Sequence, residues 1–393
     1  MVDREKVLVQ VFSPSAPIEQ VDLFFGRVNQ LYQVRDAISE RGQHCVLFGE
    51  RGVGKTSLAN IIYRTLQGVM CIKVTCNRND SFKGLWAKAL SKVTFHVTET
   101  GVGFTPILKK NPHQLDLFLP ERTDITAVDL ERVFENLDEN VLFIFDEFDS
   151  IVDNDIKARF ADTLKNLSDN SAHVTVLLVG IAEDINDLIG NHPSLERCVR
   201  QVNMPRMNEE ELGEIIDYGF SELELHIEHN VRSRVINFSS GFPHYTHLLS
   251  KYIADDAIKN DKSMADMYSF DFAVRMALSN AQQQIRNAFQ KATISSKEIA
   301  HFENVLYAVA TAQADEFDSS TANEILTEFN KITKLGNSRE SITYHLGTLC
   351  KFERGEILMK VGSSKNVKYK FTSPLMKSFI KLKYYSKNIT QSI

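Results

Sequence analysis

One stretch of eight residues limits the folds open to this chain more than any other feature. Residues 49–56 read G-E-R-G-V-G-K-T, which matches the pattern G-x-x-x-x-G-K-[ST]. Residues 44–48, which precede it, are a short apolar run typical of a buried strand, and residues 57–66 carry apolar side chains at helical spacing. This order places consecutive backbone N–H groups and the positive end of a helix around one point. The sequence therefore predicts a phosphate-binding loop between a strand and a helix.

The predicted loop supplies ligands for both a nucleotide and its metal. We expect Lys55 to reach the β- and γ-phosphates and the Thr56 hydroxyl to ligate Mg²⁺. ATP and Mg²⁺ are thus the predicted cofactors. The predicted nucleotide-binding residues are Gly49, Glu50, Arg51, Gly52, Val53, Gly54, Lys55, Thr56 and Ser57.

A second motif predicts that the protein hydrolyses ATP as well as binding it. Residues 141–145 are five apolar residues that end in Asp146 and Glu147, a pattern typical of a central parallel strand that delivers acids to the carboxyl edge of a sheet. We expect Asp146 to hold Mg²⁺ through water and Glu147 to orient and deprotonate the attacking water. The alternative is a pair of surface acids after a buried strand. The loop at 49–56 favours the catalytic interpretation.

Composition excludes several other classes of protein. The chain has 393 residues, enough for two or three domains, and ordinary apolar and charged fractions. Its longest apolar runs, such as 174–181, fall short of the roughly 20 residues that a membrane helix needs. The start of the chain has mixed charge and no apolar core, so no signal peptide is predicted. The five scattered cysteines form no C-x-x-C pair. These features predict a cytoplasmic protein that does not bind membranes.

Charge is distributed unevenly along the chain. Residues 331–393 carry 13 Lys and Arg against 3 acids, a net charge of +10, whereas the whole chain has a net charge of −6. Residues 1–330 therefore carry −16. The basic end is a candidate surface for nucleic acid or an acidic partner, or for docking on the acidic part of the chain itself.

The first half of the chain alternates strands and helices. Helical stretches separate candidate strands at 44–48, 69–74, 141–145, 174–179 and 198–204. We therefore predict an α/β fold in residues 1–205, a P-loop NTPase parallel sheet with helices on both faces. Residues 90–124 show no clean period and are interpreted as an insertion or mobile loop.

After residue 205 the strands stop. A capping pattern at Asn208 and Glu211 opens a helix to about residue 220, and further helices at 229–239 and 243–258 complete a predicted α-helical lid, 206–260. A helical linker, 261–294, contains one long helix at 270–291. The last domain, 295–393, begins with a capping box at 295–298. The order there is three helices (299–311, 321–332 and 337–351) and then two strands (356–361 and 366–372), which is the winged-helix arrangement.

These motifs together resemble the AAA+ ATPases, in particular the branch that holds origin-recognition initiators and the STAND signalling ATPases. The resemblance covers the phosphate loop, the acid pair Asp146 and Glu147, the lid and the winged helix. Residues 23–27, L-F-F-G-R, look like the box that lies against the adenine in that branch. The resemblance implies ATP hydrolysis and a homo-oligomer in the ATP-bound state.

The resemblance also suggests roles for less distinctive residues. Arg197 occupies the region of the arginine finger, which completes a neighbour's site, with Arg200 as the second choice; the alternative is a surface arginine paired with an acid. Glu183 falls in the sensor-1 region, where relatives more often have Asn, Ser or Thr. At the sensor-2 position, Gly241-Phe242-Pro243 follows the Gly-x-Pro pattern of STAND proteins, and Pro243 is expected to pack on the adenine.

Two hypotheses about the partner stay open. In the first, Lys365, Lys368 and Lys370 of the predicted wing contact DNA phosphates, and the ATPase acts on or beside DNA, as initiators, transposition regulators and anti-phage defence (antiviral) ATPases do. In the second, the protein is a STAND-like nucleotide switch whose winged helix recruits a protein effector. The pairs His226/His229 and His244/His247 have metal-ligand spacing, but no further ligands lie near them in sequence, so satisfied polar histidines are the favoured interpretation.

Overall fold

The computed structural model describes residues 3–19, 24–100, 108–122, 124–135, 137, 139–171, 173–182, 185–190, 195–294, 301–315, 317–334, 336–363 and 366–391. These residues form two units, one of residues 17–205 and the other of residues 1–16 together with 206–393. In chain order, the helices are α1 (Arg4–Val11), α2 (Val28–Ser39), α3 (Lys55–Thr65), α4 (Phe82–Leu90), α5 (Ala127–Phe134), α6 (Asn154–Asn170), α7 (Asn186–Ile189), α8 (Glu209–Glu222), α9 (His229–Ser239), α10 (Pro243–Lys259), α11 (Met267–Ser279), α12 (Gln283–Thr293), α13 (Phe302–Thr311), α14 (Ala322–Thr333), α15 (Arg339–Leu349) and α16 (Met376–Gln391). The strands are β1 (His44–Gly49), β2 (Met70–Thr75), β3 (Thr94–Thr100), β4 (Leu108–Gln114), β5 (Val141–Asp146), β6 (Val174–Ile181), β7 (Val199–Asn203), β8 (His226–Ile227), β9 (Met264–Ala265), β10 (Ser320–Thr321), β11 (Leu358–Val361) and β12 (Lys368–Phe371).

A five-stranded parallel sheet organises the unit of residues 17–205. Its strand order is β2-β5-β6-β1-β7. Strands β1 and β5 are buried along their whole length, which explains their unbroken apolar sequences. Because the strands are parallel, their carboxyl ends meet at one edge of the sheet. The predicted α/β fold is confirmed, and each predicted strand is present with its ends shifted by one or two residues.

An aromatic core anchors the helices to the sheet near β5. Trp86 of α4 is fully buried, stacks on Phe160 of α6 and meets the rings of Phe143 and Phe145 edge-on. Phe134 of α5 joins the same cluster, 5.8 Å from the Trp86 ring. This packing fixes strand β5, whose last residue is Asp146.

The expectation of a loop at 90–124 was wrong in part, because β3 and β4 form an antiparallel hairpin there. The register runs from Thr94 opposite Gln114 to Thr100 opposite Leu108. Pro112 lies inside β4, and proline within a run argues against a strand in a sequence-based assignment. The hairpin depends on pairing between two separate stretches. The periodicity of either stretch alone does not predict that they pair.

Helix α1 belongs to the second unit, although the sequence assigned residues 1–205 to the nucleotide-binding domain. The Phe12 ring, directly after α1, packs 5.8 Å from the Phe220 ring of α8 and 6.1 Å from His247 of α10. Gly219 makes room for it, since a Cβ there would lie 2.2 Å from Phe12 Cζ. The apolar stretch at 7–12 therefore packs against the helices of the predicted lid.

Helix starts in the second unit were predicted with mixed success. The capping box of Asn208 and Glu211 is confirmed at the start of α8. The long helix expected at 270–291 was wrong, because the chain leaves the helix at Asn280 and restarts at Gln283 as α12. The Asn280 amide donates to the hydroxyl of Tyr252.

The C-terminal region contains the three helices and two strands expected from the sequence, and its assignment as a winged helix stays a prediction. Strands β11 and β12 follow helices α13, α14 and α15, and the short strand β10, which lies between α13 and α14, completes a sheet of order β10-β12-β11. The sequence did not reveal β10. The cap of α15 is Ser338 rather than Asn337, whose backbone N–H donates to Asn330 instead. The capping box expected at 295–298 lies outside the described residues. Among the described helices, none is long and apolar enough to cross a membrane.

Candidate nucleotide-binding site

The loop at 49–56 has the backbone conformation that its glycines predict. Gly54 caps α3 in the left-handed region (φ 100°), which a residue with a side chain rarely adopts. A Cβ at Gly49 would lie 2.4 Å from the carbonyl oxygen of Met204, so only glycine fits between β1 and the end of β7. Helix α3 begins at Lys55, and its N-terminus therefore lies at the loop.

Lys55 is folded into the loop. The residue is only 7% exposed, and the Lys55 Nζ donates to the carbonyl oxygens of Gly49 (2.9 Å) and Glu50 (2.7 Å). Burial lowers the pKa of Lys55 to about 8, although the carboxylates of Asp149 and Asp146 act in the opposite direction. A phosphate group would offer this ammonium a stronger partner than the loop carbonyls do.

Thr56 and Asp146 meet as the sequence predicts for a magnesium site. The Thr56 hydroxyl donates to Asp146 Oδ1 over 3.3 Å, and the backbone N–H of Glu147 donates to the same oxygen over 2.9 Å. Asp146 is buried at 3% exposure. A hydroxyl beside a carboxylate is the hard oxygen donor set that Mg²⁺ prefers, so these residues fit the ion.

Glu147 differs from its neighbour in both exposure and backbone conformation. Its residue is exposed, and its φ of 57° and ψ of 37° lie in the left-handed region. A non-glycine residue there is uncommon, and strain of this kind clusters at functional sites. The turn separates the Glu147 carboxylate from the buried strand, in keeping with a base that acts on a water molecule rather than a metal ligand.

Two charged residues of the site were missed by the sequence reasoning. Asp149 Oδ1 accepts a hydrogen bond of 2.8 Å from the backbone N–H of Ile181, at the carboxyl end of β6. Lys73 of β2 places its Nζ 2.9 Å from Asp146 Oδ2 and 2.5 Å from Asn60 Oδ1 of α3. The available signal for Lys73 was a lone charge within the apolar run 69–74.

The segment before α2 contacts the phosphate loop and the first turn of α3. Arg27 is 1% exposed, and its Nη2 donates to the carbonyl oxygen of Val53 (3.2 Å). The Ser57 hydroxyl accepts from the backbone N–H of Ile18 (3.1 Å). Arg27 thus contacts the phosphate loop itself, whereas the expected contact of residues 23–27 with adenine stays a prediction, and Leu23 lies outside the described residues.

Comparison with known proteins identifies the family. The profile described as "Novel STAND NTPase 1" matches residues 16–335, most of the chain. The chain belongs to this STAND NTPase family. No curated protein matches the sequence.

Of three solved structures similar to this STAND NTPase, the first supports its fold. A Walker-type ATPase of Pyrococcus abyssi is 15% identical, covers 94% of this chain and 99% of its own, and has a TM-score of 0.53. The ORC2 protein of Aeropyrum pernix, in its ADPNP–ADP complexes, is 14% identical, covers 98% of both chains and has a TM-score of 0.49. The ORC1 protein of Aeropyrum pernix in complex with DNA is 13% identical, covers 98% and 97%, and has a TM-score of 0.47. Such low identities show the fold alone.

The two candidate arginine fingers of this STAND NTPase differ in their contacts. The Arg197 side chain is 79% exposed, and its Nη2 lies 3.4 Å from Asp169. Arg200 of β7 forms ion pairs with Asp36 (2.9 Å) and Glu40 (3.1 Å) of the α2 segment. An arginine finger has to reach the nucleotide of a neighbouring protomer, so strong ion pairs to its own chain work against the role. The contacts therefore favour Arg197 over Arg200 as the candidate. Glu183, the candidate sensor, lies outside the described residues.

The phosphate-contact surface expected on the wing of the STAND NTPase stays a prediction, and one of its three lysines, Lys370, is buried. Lys368 is ion-paired with Asp315 at 2.7 Å, and Lys370 is 7% exposed. Lys365 lies outside the described residues. Strand β12 pairs on both sides, with β10 and β11, and its residues Tyr369, Lys370 and Phe371 are buried, whereas the sequence interpretation treated the strand as an exposed wing.

The histidines of the second pair contact other parts of their own unit. His247 is buried beside Phe12, and burial lowers its pKa to about 4. His244 Nδ1 lies 2.7 Å from the carbonyl oxygen of Pro14. In the part of the chain that the structure describes, no group of three or more His, Cys, Asp and Glu could hold a metal ion.

Proposed function

We propose that this STAND NTPase is an ATP-dependent switch that binds ATP with Mg²⁺ at residues 49–57, hydrolyses it slowly and changes the state of its C-terminal region between ATP and ADP. The observation that carries the proposal is the meeting of Lys55, Thr56 and Asp146 at one edge of the sheet, with Glu147 next in the chain. Lys55 would bind the phosphates, Thr56 and Asp146 would hold the metal, and Glu147 would act as the base.

The nucleotide part of the proposal is tested by equilibrium binding and turnover of ATP on the full-length protein. Lys55→Ala should lose ATP binding, whereas Lys165→Ala, which removes an exposed lysine of α6 outside the loop, should bind as the wild type does. ATP binding by a folded Lys55→Ala protein with wild-type affinity would refute the assignment of the loop.

A cluster of charges supports a switch that acts on the C-terminal region. Asp318, in the loop before β10, pairs with Arg206 (2.8 Å) and Lys377 of α16 (2.5 Å), and all three side chains are largely buried. We call these three residues the Asp318 cluster. Arg206 directly follows residue 205, where the unit of residues 17–205 ends. Its guanidinium also lies over the ring of Phe242, within the Gly-x-Pro sequence, at 4.4 Å from the ring centroid.

Further contacts join the predicted lid to the C-terminal region within the same unit. The Tyr245 hydroxyl donates to the carbonyl oxygen of Leu375 (3.1 Å), and the Ser378 hydroxyl donates to that of Ser239 (3.1 Å). A movement of the chain at residue 206 would therefore pull on the cluster that holds the two regions together. This is the behaviour expected of a switch that releases a protein-binding domain, and a protein effector is the proposed partner.

Limited proteolysis with ATP and with ADP tests the switch. Asp318→Ala should increase cleavage between residues 261 and 301 in both nucleotide states, because it removes the carboxylate that holds two cations. Asp255→Ala, which breaks the surface ion pair of Asp255 with Lys259 on α10, should leave the cleavage pattern unchanged. Identical patterns for wild type and Asp318→Ala in both states would argue against release of the C-terminal region.

DNA remains a second candidate partner because of the net charge of +10 in residues 331–393. If about three to five of these cations contact phosphates, the log of the affinity should fall with log salt at a slope of roughly −3 to −4.5. No DNA binding at low salt, with or without ATP, would leave the protein effector as the proposed partner.

Self-association is proposed in the ATP-bound state, with Arg197 completing a neighbour's site. The 79% exposure of the Arg197 side chain supports this role. Size-exclusion chromatography coupled to light scattering should show a larger species with ATP than with ADP, and equal sizes would refute it. A cytoplasmic location, and a role in replication, transposition or antiviral defence, stay predictions.

A further inference from the structure

Lys73 reaches the predicted metal ligand from a neighbouring strand. Its backbone lies in β2, opposite Ile144 of β5, and the side chain is 18% exposed. The ammonium lies 2.9 Å from Asp146 Oδ2 and 2.5 Å from Asn60 Oδ1. Lys73 therefore connects the strand that carries Asp146 with the helix that begins at Lys55.

The two oxygens of Asp146 are engaged differently. Oδ1 accepts from the Thr56 hydroxyl (3.3 Å) and the Glu147 N–H (2.9 Å), and both are neutral donors. Oδ2 faces the positive charge of Lys73. The neutral donors at Oδ1 suffice to orient the carboxylate. Lys73 adds charge neutralisation of the same carboxylate at its other oxygen.

We propose that Lys73 is an internal cation that competes with Mg²⁺ for Asp146, so that it weakens Mg²⁺ binding and strengthens the binding of metal-free nucleotide. The inference deepens the proposed function and rests on it, because it assumes that residues 49–57 bind a nucleotide. The ammonium neutralises Asp146 when no metal is bound and so reduces the repulsion between this carboxylate and the phosphates. The same charge repels a divalent cation that approaches Asp146.

A structural role for Lys73 would have a different signature. If Lys73 only tied β2, β5 and α3 together, its loss would weaken nucleotide binding with and without Mg²⁺ alike. Competition with Mg²⁺ predicts instead that the affinity for ADP in EDTA falls while the affinity of the ADP complex for Mg²⁺ rises. This difference can be measured without hydrolysis.

The test is calorimetric titration of ADP into the full-length protein in EDTA, followed by titration of MgCl₂ into the ADP complex. For Lys73→Met we expect the Kd of ADP in EDTA to rise roughly tenfold, the loss of one charge-assisted interaction, and the Mg²⁺ concentration at half-saturation to fall by a similar factor. Lys73→Gln, which keeps a polar group near Asn60 without the charge, should show the same pair of shifts, so the test does not depend on a single variant.

Two controls isolate the charge at this position. Lys73→Arg keeps the positive charge and should stay close to the wild type in both titrations. Lys88→Met removes the lysine that pairs with Asp80, outside the site, and should change neither constant.

The outcomes separate this inference from the proposed function. Wild-type protein that binds no ADP in either condition overturns both. Wild-type protein that binds ADP, with Lys73→Met and Lys73→Gln variants whose ADP affinity in EDTA is unchanged or whose Mg²⁺ half-saturation does not fall, overturns the role of Lys73 alone. Tighter metal-free binding by these variants would also overturn it.

Discussion

The buried position of Lys55 predicts that ATP affinity depends on pH in a range where an ordinary lysine does not titrate. Burial lowers the pKa of Lys55 to about 8 in the protein without nucleotide. Bound phosphates stabilise the ammonium and raise this pKa again, so ATP binding is linked to proton uptake above pH 8. The sign follows directly: affinity is full below pH 8 and falls as the pH rises through the pKa of the free protein.

The magnitude follows from the fraction of free protein that has lost the proton. Each pH unit above 8 reduces the protonated fraction of Lys55 about tenfold, so ATP should bind about tenfold more weakly at pH 9 and about a hundredfold more weakly at pH 10. The limit is reached where the pH passes the pKa in the complex.

Calorimetry with Mg²⁺ and ATP between pH 7 and pH 10, in buffers with different ionisation enthalpies, measures both the affinity and the proton uptake. The matched control is Lys55→Arg, because a guanidinium stays protonated throughout this range. Its affinity should be independent of pH even if its absolute value is lower. A wild-type affinity that stays constant up to pH 9.5, with no proton uptake, would show that Lys55 is already charged as an exposed lysine is, and the burial argument would fail.

Three further predictions test other parts of the molecule. Glu147→Gln should bind ATP normally but hydrolyse it at least about a hundredfold more slowly, measured as phosphate release; unchanged turnover would place the base elsewhere. Arg197→Ala should lose roughly 10³- to 10⁵-fold in turnover and keep ATP binding, and mixing it with Lys55→Ala protein should restore part of the activity; a defect in Arg200→Ala alone would identify the other arginine as the finger. Trp86→Ala should lower the free energy of unfolding by about 3–5 kcal/mol in chemical denaturation, because the side chain is fully buried among four phenylalanines; a loss below about 1 kcal/mol would mean that the aromatic core re-forms around the gap.

The parallel sheet could be predicted because its strands are buried on both faces. Strands β1 and β5 read as unbroken apolar runs for this reason, and the motifs that follow them lie at their carboxyl ends. The conformation of the phosphate loop is equally local, since Gly52 and Gly54 adopt positive φ angles that residues with side chains rarely adopt. Information of this kind is contained in a few consecutive residues.

The other parts of the site depend on residues that are distant in sequence. Lys73 becomes part of it only because β2 lies next to β5, and that neighbourhood is set by the order of strands rather than by any motif. For the wing lysines, a local pattern predicted more exposed charge than the sheet presents. An alternating pattern around Lys368 suggested an exposed strand, but β12 is the central strand of its sheet and Asp315 pairs with that lysine.

The sequence D-E-F-D-S shows how far a short motif depends on its surroundings, because it occurs twice, at 146–150 and at 315–319. At the first site, five buried residues precede it, Phe148 is fully buried, and the first aspartate receives the Thr56 hydroxyl and the Lys73 ammonium. At the second, Phe317 is half exposed. Burial raises the pKa of Asp315, but hydrogen bonds from Lys368 and Ser319 lower it to about 2. This carboxylate therefore stays ionised and bonds to its own loop and to Lys368 of β12. The first aspartate therefore ends a core strand at one site, whereas at the other it lies in the loop before β10. What distinguishes them is the apolar run at 141–145, because it fixes the first aspartate at the sheet edge where the phosphate loop lies.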